Sequence, residues 1–230
     1  MLEVWDIHTY YGQSHILFGV SLEVTAGEVV CLLGRNGAGK TTTLRSIMGL
    51  TPPRSGRIRF RGEEIAGKPS HVLARKGLGY VPEDRRIFPD LTVVENLEIA
   101  RKSGQGDWTP DRVFSLFPQL EGFKSRKGST LSGGEQQMLT IARTLMGNPA
   151  LMLLDEPCEG LAPVVMETLL EQLKGLKKQG LTILLSEQNL AFATELADRV
   201  YIIDKGQICY QGAVQAFQAN EQVRNDYLAV

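Results

Sequence analysis

The sequence predicts an α/β fold with a mostly parallel sheet flanked by helices, and three observations carry that prediction. Residues 34–41, GRNGAGKT, form a glycine loop between an apolar strand at 28–33 and a helical stretch at 42–50. Residues 151–156, LMLLDE, are an apolar run ending in two acids, as a buried strand does when carboxylates emerge at its C-terminal edge. After Gly147, strand-like and helix-like segments alternate at 150–155, 163–179, 181–186, 190–198 and 200–204.

In chain order, a β-rich start extends to about residue 61 and a turn-marked transition runs through 62–69. A helical lobe is expected over about 83–147. Within it, 93–102 and 111–117 have helical spacing, separated by a glycine-containing loop at 103–109 that carries Trp108. Its last segment opens with LSGGEQQ at 131–137 and continues with Met138, Ile141, Ala142, Leu145 and Met146 at helical spacing.

Each of the three motifs has a chemistry. In the loop Gly34, Arg35, Asn36, Gly37, Ala38, Gly39, Lys40 and Thr41, followed by Thr42, the glycines let backbone N–H groups approach phosphate oxygens. Lys40 is placed to reach the β and γ phosphates, and Thr41 to ligate Mg²⁺. Asp155 is expected to hold the Mg²⁺ shell, with Glu156, on the other side of the strand, as the candidate that polarises an attacking water. Ser132, Gly133, Gly134 and Glu135 begin a helix, whose free N–H groups suit either an ordinary Ser cap or a γ-phosphate site.

A phosphate loop, LSGGEQQ and LLDE in this order and at this spacing resemble the ATP-binding subunit of an ABC transporter, and the resemblance covers essentially the whole chain. It implies a P-loop NTPase: one ABC ATPase domain over 1–230, with an N-terminal antiparallel β subdomain and a helical subdomain at about 83–147. It also implies ATP and Mg²⁺ as cofactors and a dimer with itself or with a related ATPase subunit. Each ATP would lie between one copy's phosphate loop and the other's LSGGQ-type helix tip, and closure would drive integral-membrane permease subunits.

Other positions follow from the same resemblance. Tyr11 matches the aromatic that stacks on adenine, with Tyr10 as alternative and a core role as rival. Glu83 stands where most members have glutamine, either as an oxygen ligand to Mg²⁺ or as a hinge. Gln188 occupies the place of the usual switch histidine, able to donate to a γ-phosphate but unable to titrate; an exposed helix-start glutamine is the alternative. Ala162 replaces an aspartate in the subunit-crossing loop EGLAP, which leaves communication between the two ATP sites in question. Arg85, Arg86, Ile87, Phe88 and Leu91 are candidates for docking a membrane subunit, with lobe core as the alternative for Phe88 and Leu91.

PEDRRIF, EGLAP, SEQN and the NEQVRNDYL tail resemble the ATPases of branched-chain amino acid importers, whose relatives handle other hydrophobic amino acids, amides or urea. That resemblance implies a periplasmic or extracellular substrate-binding protein in the full complex. A nucleotide-binding subunit with weak hydrolysis is the rival reading. DNA-repair and translation ATPases of this superfamily require a coiled-coil insertion or a second cassette, and this chain carries neither.

Composition agrees. With 230 residues and 43% hydrophobic content, the chain can bury one sizeable core and a smaller lobe. Twenty-five basic and 26 acidic residues leave a net charge of −1, which provides no field for nucleic acid. The longest apolar runs fall far short of a spanning helix, and Cys31, Cys158 and Cys209 form neither a CxxC pair nor a disulfide framework. The expected location is cytoplasmic, peripheral on the inner face of the cell membrane, through partners.

Overall fold

The computed structural model describes residues 1–101 and 107–228. The chain runs β1 (Leu2–Tyr11), β2 (Ser14–Val24), β3 (Val29–Leu33), α1 (Lys40–Ile47), β4 (Ser55–Phe60), β5 (Glu63–Glu64), α2 (Ser70–Arg75) and β6 (Leu78–Val81). It continues through α3 (Val93–Ile99), α4 (Pro110–Leu116), α5 (Pro118–Glu121), α6 (Gly133–Met146), β7 (Leu151–Asp155), α7 (Pro163–Lys178) and β8 (Thr182–Glu187). It ends with α8 (Leu190–Leu196), β9 (Arg199–Asp204), β10 (Gln207–Ala213), α9 (Val214–Ala219) and α10 (Glu221–Leu228).

Two sheets result. Strands β2-β1-β4-β5 form an antiparallel sheet, and β10-β9-β3-β8-β7-β6 form a second that is parallel except for β10. The central strands VVCLL, LMLLD and TILLSE are buried along their whole length, which is why they read as continuous apolar runs. Successive β3 residues serve opposite cores. Val29, Cys31 and Leu33 pack with α6, α7 and α8, while Val30 and Leu32 pack with α1 and the antiparallel sheet.

In β1 the pairing shifts between Val4 and Ile7, and Asp6 takes a φ of 48°. That bulge turns both Val4 and Ile7 inward, where strict alternation would have exposed one of them. The helical lobe starts at α3, whose Thr92 and Glu95 form a reciprocal capping box. Its first helices end at Ile99 and Leu116, somewhat earlier than expected, and residues 102–106 of the expected helix end and loop lie outside the described residues. Phe117 caps both the end of α4 and the start of α5.

Parallel register aligns the strand ends. Leu33 pairs with Glu187 and Asp155 with Ser186, so the loops after β3, β7 and β8 leave the sheet side by side. The β9–β10 turn locks this edge to the antiparallel sheet: Gly206 donates to the Ala38 carbonyl at 2.8 Å and accepts from the Phe18 amide at 2.8 Å. Gly206 has φ 78°, and an added Cβ would fall on the Ile16 carbonyl oxygen. Gly206→Ala is therefore expected to lower unfolding free energy by about 3 kcal/mol, read as a lower urea midpoint at unchanged slope.

Candidate functional site

The phosphate loop folds into the first turn of α1, and Gly39, just before it, takes φ 111°. Only glycine holds that conformation without strain. Lys40 is 3% exposed, and its Nζ donates to the carbonyls of Gly34 at 2.8 Å and Arg35 at 3.0 Å. The same ammonium lies 3.1 Å from Glu156 Oε1. Glu156 is 7% exposed, and its second oxygen, Oε2, is buried without a hydrogen-bond partner among the described residues. Burial pushes its carboxyl above the ordinary glutamate range, against the opposing pull of Lys40.

Glu156 does not sit on the opposite side of a continuing strand, as alternation predicts. Strand β7 stops at Asp155, and Glu156 turns away with φ 44° while its N–H donates to the Ser186 carbonyl at 3.1 Å. That turn, a strained one for a residue with a Cβ, is what carries its carboxylate to Lys40. Asp155 is fully buried and accepts three hydroxyl hydrogen bonds: Thr41 at 3.0 Å and Ser186 at 2.7 Å on Oδ1, and Tyr80 at 2.9 Å on Oδ2. Burial and the Asp155 charge hold the Tyr80 phenol well above its ordinary value, so it stays a donor.

A cavity of about 240 Å³ opens over these groups, lined by Tyr11, Gly37, Lys40, Thr41, Thr42 and Glu156, among others. Tyr11, 44% exposed, stands at its side. Tyr10 is engaged elsewhere, stacked on His15 with centroids 4.1 Å apart and covered by the Arg54 guanidinium at 4.1 Å. Arg35, Asn36 and Ala38 complete the loop, with Ala38 buried in the core below it. Glu83 is exposed, and its carboxyl is raised by partial burial and then by repulsion from Glu156, Asp155 and Asp84. Gln188 is exposed just past β8, and its backbone N–H donates to Glu187 Oε2 at 3.1 Å.

The α6 tip does not line that cavity. Ser132 Oγ accepts from the Glu135 amide at 3.4 Å, and Glu135 Oε2 accepts from the Ser132 amide at 2.7 Å. The carboxylate of Glu135 is thus turned back on its own helix, and Gly134 is tight against Val165. Within one chain the phosphate loop and the LSGG tip remain separate surfaces.

A family model described as ABC transporter matches residues 17–159. The chain belongs to the ABC transporter ATPase family. Among curated relatives, it is 44% identical to the high-affinity branched-chain amino acid transport ATP-binding protein BraG of Pseudomonas aeruginosa, over 99% of both chains. It is 35% identical, over 96% of both, to a probable branched-chain amino acid transport ATP-binding protein, LivF, of Archaeoglobus fulgidus. A nucleotide-free ATP-binding cassette from an ABC transporter superposes with TM-score 0.83 at 28% identity, covering 97% of this chain and 96% of that one. A dimeric post-hydrolysis cassette bound to ADP and Pi superposes with TM-score 0.81 at 26% identity, covering 93% and 99%.

Four side chains at or beside this ABC ATPase site carry no local sequence signature. Tyr80 comes from β6, a four-residue strand too short to show a period of its own, and Ser186 comes from β8 through register with Asp155. Glu187, 2% exposed, accepts from the amides of Cys158 at 3.3 Å, Gln188 at 3.1 Å and Asn189 at 3.2 Å, and so pins the two loops that flank Glu156. Burial raises its carboxyl despite those three donors. The fourth, Arg143, lines a second cavity of about 420 Å³ between the lobes, with Met48, Tyr80, Pro82, Arg86 and Ala100. Its Nη2 donates to the Arg86 carbonyl at 2.6 Å, and its Nη1 is buried without a partner among the described residues. Phe88, 44% exposed, carries the Arg143 guanidinium 5.1 Å over its ring, whereas Ile87 packs against the core.

Proposed function

We propose that this chain is the ATP-hydrolysing subunit of an ABC importer for branched-chain or other hydrophobic amino acids. The observation that carries the hydrolytic part is the Glu156 carboxylate. One oxygen is held 3.1 Å from the phosphate-loop lysine, and the other, on a residue that lines the loop cavity, is buried without a hydrogen-bond partner among the described residues. A buried polar atom left open beside a phosphate cradle fits a base awaiting a water. ATP is read as lying on the loop with its adenine against Tyr11.

The residues fit Mg²⁺ shared with a nucleotide. Thr41 Oγ1 and Asp155 Oδ1 lie 3.0 Å apart beside the cradle, and among the described residues no group of three or more His, Cys, Asp or Glu could hold a metal unaided. Such a pair suits a cation that takes one or two protein oxygens and completes its shell with phosphate and water. Bound there, Mg²⁺ would neutralise developing phosphate charge. Glu83, whose carboxyl is raised in part by the charges of Glu156 and Asp155, is read as a further oxygen ligand or hinge, and Gln188 as a donor to the γ-phosphate.

Separation of the LSGG tip from the loop cavity supports a head-to-tail dimer, with itself or a related subunit, in which Ser132, Gly133 and Gly134 of one copy close the ATP site of the other. The two-lobe groove beside Arg86 and Arg143 is the surface proposed for integral-membrane permease subunits, since among the described residues no helix is long and apolar enough to cross a membrane. A periplasmic or extracellular binding protein would complete the complex. The chain would work at the cytoplasmic face as one cassette over 1–230.

The cargo assignment is supported by the 44% identity to BraG, against 36% to the lipopolysaccharide export system ATP-binding protein LptB of Haemophilus influenzae. Removing the chain from its host is expected to abolish uptake of radiolabelled leucine, with uptake restored by the wild-type copy. Unaltered leucine uptake would set that cargo aside.

A further inference from the structure

Arg85 and Arg86 follow one another with φ of 60° and 34°, a left-handed backbone that non-glycine residues hold only under constraint. The constraint comes from α6. Thr140 Oγ1 donates to the Arg85 carbonyl, and Arg143 Nη2 donates to the Arg86 carbonyl at 2.6 Å. The Arg85 side chain then lies on the tip of that helix. A Cβ added at Gly133 would come within 2.5 Å of Arg85 Nη1, and one at Gly160 within 3.7 Å of Nη2. Nη2 also donates to the Glu159 carbonyl at 3.2 Å.

A cation at a helix N-terminus opposes the helix dipole, and the only acid in that first turn, Glu135, is engaged in the cap. Stabilising α6 therefore does not explain the placement. What the guanidinium does is join three segments: the Glu83 loop, the LSGG tip and the 159–163 loop. On the dimer reading proposed above, the first senses this chain's own ATP, the second presents to the partner's ATP, and the third crosses between copies.

We infer that Arg85 is a positioning residue that couples one ATP site to the other, by tying the Glu83 loop to the LSGG tip and the crossing loop of the same chain. Ala162 offers no carboxylate at its own position in the crossing loop, and the link to Arg85 runs through the Glu159 carbonyl. The arrangement needs the planar fork of arginine, whose two Nη groups point to different segments; a lysine ammonium cannot span both. Gly133 is small because the guanidinium lies across it.

The test uses full-length chain carrying Glu156→Gln, so that ATP is held without turnover, with Arg85→Ala or Arg85→Lys added. Sedimentation with ATP reads dimerisation, fluorescent ATP analogue at low protein concentration reads binding to single chains, and steady-state turnover in the Glu156 chain reads cooperativity. Either variant is expected to weaken the ATP-driven dimer by about tenfold or more and to bring the Hill coefficient to one, with single-chain affinity held within about twofold and the melting temperature unchanged. Dimerisation and cooperativity equal to the parent's in Arg85→Ala would overturn the inference, as would full function in Arg85→Lys. A parallel fall in single-chain affinity and melting temperature would reduce Arg85 to a structural role and overturn it too. A parent that binds ATP yet stays single would instead refute the dimer reading, and the inference with it.

Discussion

Glu156→Gln is expected to reduce ATP turnover by about three orders of magnitude while leaving ATP binding intact, because it removes an ionisable oxygen and nothing of the cradle. The amide is isosteric, so the left-handed turn at Glu156 and its amide contact with the Ser186 carbonyl persist. Lys40 loses its anionic partner at 3.1 Å and becomes more available to phosphate, so nucleotide affinity should hold or rise. Phosphate release and equilibrium binding measured on the same preparation separate the two effects. Residual turnover above about a tenth of wild type would rule Glu156 out as the base.

The wild-type pH profile carries the same signature. A base must be ionised, and burial holds the Glu156 carboxyl above 4.5 even with Lys40 beside it. Activity should therefore fall as pH drops through a range higher than an ordinary glutamate would give, and Gln188, which has no titration, adds no limb of its own. The Glu83 carboxyl is displaced in the same direction by partial burial and by repulsion from Glu156 and Asp155, so Glu83→Gln is the control that separates the two groups.

What the sequence made legible is what lies contiguous in it. The glycine loop, the LSGG cap and the LMLLDE strand each place their groups through local geometry, and the core strands announce themselves because both faces are buried. What it hid depends on register or on backbone strain. Tyr80 and Ser186 reach Asp155 only because β6 and β8 flank β7, a pairing no local pattern encodes. The edge strand β10, QICYQGA, half-buried along one side, has too weak an apolar period to stand out. Arg85 and Glu156 depend on left-handed backbone at residues whose type does not favour it, so alternation misplaces Glu156 and says nothing of where Arg85 points. Glu187 reads as one acid beside a switch position until the structure shows it buried under three amides.

Lys40→Met should produce the second large effect, on binding and on stability together. The thioether keeps the buried stem but removes the ammonium that donates to Gly34 and Arg35 and pairs with Glu156, so ATP affinity should fall by at least about tenfold. It also strands a buried carboxylate, at a cost of about 3 kcal/mol near neutral pH. The sign of the pH dependence follows from linkage. A glutamate whose folded-state pKa is raised holds its proton in the folded chain to higher pH than in the unfolded one, so stability is lost as pH rises from about 4.5 through the folded value. Lys40 pulls that folded value down, and without it the value climbs and the window of loss extends upward. The deficit of Lys40→Met against wild type should then be large at about pH 8 and shrink toward about pH 5, measured by urea unfolding at each. Adding Glu156→Gln removes the stranded charge and should recover most of the stability without recovering ATP affinity. A deficit equal at both pH values, and untouched by the second substitution, would mean that lost packing, not the broken ion pair, is what the methionine costs.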